Sequence, residues 1–171
     1  MRGDTDLLDV YLQDHHAGST AGVALFERAA RSHRDPGARA RIAELAREVS
    51  EDRAELLRVM AAVGVQPHRL KDASAWAVEK LGRLKPNGFV VRRSPLSDVL
   101  ELEALQVALS GKAAGWSLLR TLADDDPRLD TAQLDWLLAR VDRQLGVVQE
   151  LRLGTAEATF APPPADRGRT T

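Results

Sequence analysis

The sequence predicts an all-α protein, an up-down four-helix bundle in which two antiparallel hairpins are joined by one long crossover. Composition is the first reason: 26 Ala and 25 Leu stand against 14 Val and one Ile, and Ala and Leu favour helices whereas β-branched residues favour strands. Turn signals rich in Pro, Gly and Asp divide the chain into four long segments. Within each segment, apolar residues recur at the three- and four-residue spacing of a buried helix face.

The first two segments predict one helical hairpin. We expect helix A from about Asp6 to Ser32 and helix B from Pro36 to Val63. The link Asp35-Pro36-Gly37 interrupts the helix, because proline disfavours a helical residue before it and suits the first turn of the next helix. Gly64 fits the left-handed residue that often ends a helix. The short link makes helices A and B antiparallel neighbours.

The last two segments predict a second hairpin. Helix C is expected from Ser94-Pro95 to Ala123, and helix D from Pro127 or Arg128 to about Glu157, with the break at Asp124-Asp125-Asp126-Pro127. The crossover, residues 65–93, can span the length of a bundle and is expected to carry a short helix at 71–84. The Pro-rich residues 159–171 predict a disordered tail. The expected folded domain is therefore 1–158.

Charge and composition exclude several function classes. The 24 Lys and Arg nearly balance the 25 Asp and Glu, so no overall charge favours nucleic acid or an acidic membrane. The absence of cysteine excludes disulfides, thiolate metal sites and cysteine nucleophiles. No apolar run is long enough to span a membrane, and the start has no apolar signal region. We therefore expect a cytoplasmic protein with neither nucleic-acid nor membrane partners.

A family resemblance rests on four features. They are the helix lengths, the two hairpins, the single long crossover and the amino-acid sequence of helix B. Helix B reads Arg-Glu-Val-Ser-Glu-Asp-Arg-Ala-Glu-Leu-Leu over residues 47–57 and ends at Val63-Gly64. From about Asp6 to Glu157, the chain resembles the ferritin-like superfamily. That resemblance implies a di-iron centre held by a Glu from each of two helices and a Glu-x-x-His pair from each of the other two.

The ligand pattern of such a centre is missing from this sequence. None of its glutamates is followed by histidine three residues later, and no histidine occurs after His68. If Arg53 occupies the position of the helix B histidine, Ser50 occupies that of its glutamate. We therefore expect a degenerate member of the superfamily with no cofactor and assign no catalytic residue.

Each helix carries one strongly polar residue near the middle of its apolar seam. These residues are His15, Asp52, Lys112 and Gln144. From these residues and their neighbours we predict a metal-free polar network at the bundle centre, formed by His15, Asp52, Arg53, Lys112, Asp142 and Gln144. Lys112 would supply the positive charge that metal ions provide in active relatives, and Asp52 would be its partner, because an unpaired buried charge is costly. The alternative is that Lys112 lies at the seam edge and extends to water.

A metal site remains a second interpretation of the same region. Its candidate ligands are Asp14, His15, His16, Glu48 and Glu51, with Asp52 as a further oxygen donor. Adjacent histidines point about 100° apart on a helix, so one site cannot easily use both. The interpretation we favour places one histidine inside the bundle and the other towards solvent.

Three functions remain open. The first, which we favour, is a non-catalytic scaffold or interaction module that forms a homodimer or binds another protein. The second is a divergent metal-binding or oxidoreductase protein that uses the helix A Asp and His residues with helix B carboxylates. The third is a small-ligand binder, which a central cavity lined by Gly18, Gly22 and Trp116 would support.

Overall fold

The computed structural model describes residues 3–68 and 94–161, with side chains from Leu7 onward in the first stretch. These residues form four helices and no strand. The helices are α1 (Gly3–Ser32), α2 (Pro36–Ala62), α3 (Pro95–Leu122) and α4 (Thr131–Phe160). The all-helical prediction is thereby confirmed, whereas the expected crossover helix at 71–84 lies outside the described residues.

The ends of α2 follow the predicted signals. Asp35 caps the start, because its side chain accepts a hydrogen bond from the Ala38 amide and Pro36 begins the helix. Gly64 follows the end with φ +83°, and Val65 N–H donates to the Met60 carbonyl at 2.8 Å. A side chain disfavours this left-handed conformation, so glycine is suited to it.

The second hairpin differs from the prediction at α4. Ser94 and Ser97 form the capping box that starts α3. Helix α4 starts at Thr131 rather than near Pro127, because Asp126 accepts from Arg128 in a turn and Asp130 caps the helix. It continues to Phe160, so Thr159 and Phe160 of the expected tail are helical. Residues 162–171 lie outside the described part.

Four pairs of helices are in contact in the described structure: α1 with α2, α3 with α4, α1 with α3, and α2 with α4. Polar contacts give the directions of the two pairs that join the hairpins. Ser32, at the end of α1, contacts Glu101 near the start of α3. Arg41, at the start of α2, pairs with Glu150 near the end of α4. Neighbouring helices are therefore antiparallel, and the two hairpins lie side by side as a bundle.

The core follows the predicted seams on three helices. Their buried side chains are Ile42, Leu45, Val49, Leu56 and Val59 of α2, Leu102, Leu105, Leu109 and Leu119 of α3, and Leu137, Val141, Val148 and Leu151 of α4. On α1 the seam differs. Leu12, Phe26 and Ala29 enter the core, whereas Tyr11 and Leu25, which precede Leu12 and Phe26, are half-buried. The buried positions of α1 therefore include Gly22 and Ala29 together with Leu12 and Phe26, and they do not follow a single seam.

Candidate functional site

A buried ion pair between α2 and α3 lies at the centre of the bundle. The Lys112 ammonium donates hydrogen bonds to Asp52 Oδ2 and to Gln144 Oε1, which comes from α4. The Gln144 amide donates to the same Asp52 oxygen at 3.1 Å. The Asp52 and Lys112 side chains are 3% and 16% exposed. Lys112 therefore lies inside the bundle, as the polar-network prediction requires, and not at a solvated seam edge.

Arg140 and Glu48 extend this network towards α4. The Arg140 side chain is 9% exposed and pairs with Glu51; its Nη1 atom lies 3.3 Å from Asp52 Oδ1. Glu48 accepts from Gln144 at 3.0 Å and from Arg143 at 3.0 Å. The Asp52 Oδ1 atom has no hydrogen bond, so Arg140 stabilises it by charge.

The network shifts the protonation equilibria of its members. Burial lowers the Lys112 pKa, and the negative charge of Asp52 offsets part of that effect. Burial alone would raise the Glu48 pKa, but hydrogen bonds from Gln144 and Arg143, with the charges of Arg143 and Arg140, lower it overall. Glu48 is therefore held as a carboxylate, which balances the nearby cations.

Arg53 and His16 form a separate cluster between α1 and α2. Arg53 Nη2 lies 3.4 Å from His16 Nε2, and Arg53 Nε donates to Thr20 at 3.2 Å. Burial lowers the His16 pKa, and the Arg53 charge lowers it further. A neutral His16 accepts the guanidinium hydrogen on Nε2. Arg53 is therefore a neighbour of the central network without a contact to Lys112 among the described residues.

One other predicted member, Asp142, lies outside the hydrogen-bonded centre. Asp142 is exposed on α4, so its expected position in the network is wrong. The reason is its place on the helix: the next position along the chain from buried Val141 is turned about 100° away. His15 is half-buried, 4.5 Å from the Tyr11 ring and against Gly115 of α3.

The structure does not bring the candidate metal ligands together. The described residues contain no group of three or more His, Asp and Glu side chains able to hold a metal ion. Asp14 is exposed, buried His16 contacts Arg53, and Glu48 and Glu51 pair with arginines. The Lys112 and Arg140 cations contact the carboxylates of this layer instead, so the residues present do not fit the di-iron group that the resemblance implies.

Beside the network is an apolar cavity of about 600 Å³. Small residues of α1 and α3 leave this space, among them Gly18, Ala21 and Gly22 on α1 and Ala104, Ala108, Gly111 and Gly115 on α3. Larger apolar side chains of Leu25, Phe26, Val49, Leu56 and Leu119 complete the wall. Val107 and Gly111 at its edge are exposed, so the cavity opens to solvent on the α3 side.

Part of the polar lining of the cavity comes from the central layer, and Tyr11, Asp14, His15 and Ser19 of α1 add further polar groups. Lys112, Asp52 and Arg53 line the cavity, together with Trp116. Trp116 is 3% exposed, and its indole N–H has no hydrogen-bond partner. A buried polar group without a partner is uncommon and costs free energy.

The seams predicted much of this layer, but Arg140 was missed. It precedes Gln144 by four residues, so both lie on the same face of α4. The Arg140 guanidinium also lies 5.0 Å from the Trp136 ring centroid. That i,i+4 spacing was the available signal; a long charged residue beside a seam is, however, more often solvated.

Comparison with known proteins gives no match to a family model, a curated protein or a solved structure. None of the four described helices is long and apolar enough to cross a membrane.

Proposed function

We propose that this chain is a non-catalytic, ferritin-like bundle that binds a small, largely apolar molecule in the cavity between α1 and α3. The cavity carries the proposal. Its volume of about 600 Å³ falls within the roughly 300–1,000 Å³ typical of ligand pockets. Packed interiors contain few voids larger than a water molecule, so a space of this size needs an explanation other than imperfect packing.

The composition of the wall supports ligand binding. Four glycines line the cavity, and glycine inside a helix costs about 1 kcal/mol relative to alanine. A Cβ atom added to buried Gly22 would meet no other atom within 4 Å. Packing against a neighbouring helix therefore does not require glycine at this position, whereas a bound molecule does use the space.

The ionic network supports a non-catalytic role. The carboxylates that could ligate a metal in this layer, Asp52, Glu48 and Glu51, already contact Lys112, Arg140 or Arg143. These contacts fix the polar wall of the cavity in one arrangement. In this proposal the network stabilises the site, and the ligand occupies the apolar space beside it.

Filling the cavity tests the proposal. The probes are 1-decanol and 2-naphthol, both neutral and mostly apolar, and binding is measured by isothermal titration calorimetry. We expect saturable binding of one molecule per chain. The variant Gly22→Leu places a side chain in the cavity and should weaken binding by about tenfold or more, equivalent to about 1.4 kcal/mol.

Gly146→Leu is the matched control. Gly146 is exposed on α4, does not line the cavity, and likewise has open space around an added Cβ. This variant should bind both probes as the wild type does. Absence of saturable binding of any apolar probe, or equal binding by the two leucine variants, would contradict the proposal.

A second candidate function is self-association through α3. Its exposed large apolar residues recur at helical spacing along one side of the helix: Leu96, Leu100, Val107, Leu118 and Leu122. Exposed apolar stripes of this kind often mark interfaces. Sedimentation velocity of the wild type and of Leu100→Glu tests this function: a dimer that the substitution dissociates would support it, and a wild-type monomer would exclude it.

A further inference from the structure

Three hydrogen-bond donors around the cavity have unused capacity. Within residues 3–68 and 94–161, the Trp116 indole N–H has no hydrogen-bond partner. The Lys112 ammonium has three hydrogens and donates to two acceptors, Asp52 and Gln144. Arg53 uses Nε and Nη2 on Thr20 and His16. These donors come from α2 and α3 and line the same cavity.

The buried carboxylate of this wall, Asp52, is already occupied, whereas Asp14, the other carboxylate that lines the cavity, is exposed on α1. Asp52 Oδ2 receives hydrogen bonds from Lys112 and Gln144, and Asp52 Oδ1 faces Arg140 at 3.3 Å. Both Asp52 oxygens are therefore committed to protein cations or donors. A ligand that brought donors or a positive charge would compete with these contacts, so the complementary polar group is an acceptor.

The charge of Arg53 favours an anionic acceptor over a neutral one. Within residues 3–68 and 94–161, Arg53 has no carboxylate within ion-pair distance, whereas Lys112 and Arg140 both have such partners. Its two contacts are to a hydroxyl and to His16, both uncharged when the imidazole is neutral. Arg53 is half-buried, and guanidinium groups recognise carboxylates through two parallel hydrogen bonds.

We infer that the ligand of this cavity is an organic carboxylate with an apolar body, and this inference rests on the proposed small-molecule binding. The carboxylate accepts from Arg53 and from the polar layer formed by Lys112 and Trp116. The body lies along the apolar wall made by Leu25, Phe26 and Leu119. Binding completes the hydrogen bonding of the buried indole and neutralises the unpaired guanidinium.

Matched probes separate the anionic group from the apolar body. Decanoate is compared with 1-decanol and decylamine, and 2-naphthoate with 2-naphthol, by calorimetry on the full chain at neutral pH. We expect each carboxylate that fits to bind about tenfold or more tightly than its own alcohol, since charge-assisted hydrogen bonds are about twice as strong as neutral ones. The pair with the larger preference identifies an aliphatic or an aromatic body.

Substitutions assign the preference to the named donors. Arg53→Gln should weaken carboxylate binding by about tenfold or more and change alcohol binding little, since it removes charge and keeps a polar side chain. Trp116→Phe keeps the ring and removes the N–H, so it should weaken carboxylate binding by a smaller factor. Arg58→Gln is the control, because Arg58 lies on the same helix, is exposed and pairs with Glu55.

The outcomes distinguish this inference from the proposed function. Alcohols that bind as tightly as carboxylates, tighter binding of decylamine, or a carboxylate preference that Arg53→Gln leaves intact would each overturn the inference, while cavity binding would stand. If no probe binds and Gly22→Leu behaves as the wild type, the proposed function itself fails. Circular dichroism confirms that each variant is folded before its affinity is interpreted.

Discussion

The two sides of the bundle differ in the side chains that join their helices. Between α2 and α4, long charged side chains form a ladder in which Glu48, Glu51 and Glu55 contact Arg143, Arg140 and Gln133. Between α1 and α3, small residues line an apolar cavity. The first side is joined by polar contacts between the helices, and the second leaves an open space beside the central layer.

The central layer connects the two sides. Asp52 contacts Arg140 and Gln144 of the ladder through one carboxylate and receives Lys112 from the cavity side. Lys112 borders the cavity, and its partner Asp52 is in contact with Arg140 and Gln144 of α4. This difference predicts that substitutions in the central layer affect global stability, whereas substitutions in the cavity wall depend on local space.

The largest expected effect is that of Lys112→Met. The substitution leaves the buried Asp52 carboxylate with Gln144 and Arg140 as its remaining partners, and breaking a buried pair on one side is costly. We expect a loss of about 3 kcal/mol in the free energy of unfolding, measured by urea denaturation. Adding Asp52→Asn to this variant removes the stranded charge and should recover a substantial part of the loss.

Arg58→Met is the control for Lys112→Met. Arg58 is an exposed cation on α2, and its replacement should leave the denaturation midpoint unchanged. A loss below about 1 kcal/mol for Lys112→Met, within the range of a surface pair, would show that the central layer does not couple the two sides. The lack of any recovery in the double variant would mean that Lys112 acts through packing rather than through Asp52.

Two glycine-to-alanine substitutions in the cavity wall should change stability in opposite directions. At Gly115, an added Cβ would lie 2.8 Å from His15 Nδ1 and 2.9 Å from His15 Cε1. Overpacking costs about 1–3 kcal/mol and outweighs the gain in helix propensity. At Gly22 the added Cβ meets open space, so Gly22→Ala should stabilise by about 1 kcal/mol.

Thermal denaturation of both alanine variants measures this contrast. The His15 ring lies between Tyr11 and Gly115. It therefore cannot rotate freely away from a methyl group added at Gly115. Equal stabilisation of the two variants would mean that α1 and α3 separate readily at this point. The contrast between a tight contact at Gly115 and an open cavity at Gly22 would then be wrong.

The sequence predicted the helices and the central pair well, because both depend on regular spacing. The seams of α2, α3 and α4 combine strong apolar repeats with one polar interruption each, and these interruptions are Asp52, Lys112 and Gln144. On α1, Gly18, Gly22 and several alanines weaken the repeat. With few large side chains to define the buried face, the pattern could not settle which of them enter the core.

The cavity and the role of Arg140 could not be predicted in the same way. A cavity depends on the distance between two helices, which small residues permit but do not determine. Asp142 and Arg140 are both charged residues beside the α4 seam, two positions apart. Which of them enters the network depends on the rotation of α4, and a one-residue difference in position exchanges an exposed side chain for a buried one.

The smallest expected effect is the dependence of the free energy of unfolding on the protonation of His16, which lies on the cavity side of the bundle. Burial and the Arg53 charge lower the His16 pKa from its usual 6.5, so the unfolded chain binds a proton more readily than the folded one. Stability should therefore fall as pH decreases through 6.5 and stop falling, for this group, below the pKa in the folded state. His16→Gln removes this contribution and leaves the other histidines in place. Urea denaturation of both proteins between pH 7.5 and 5.5 should show the steeper decline in the wild type. Parallel declines would mean that burial and the Arg53 charge do not disfavour protonation of His16 in the folded state.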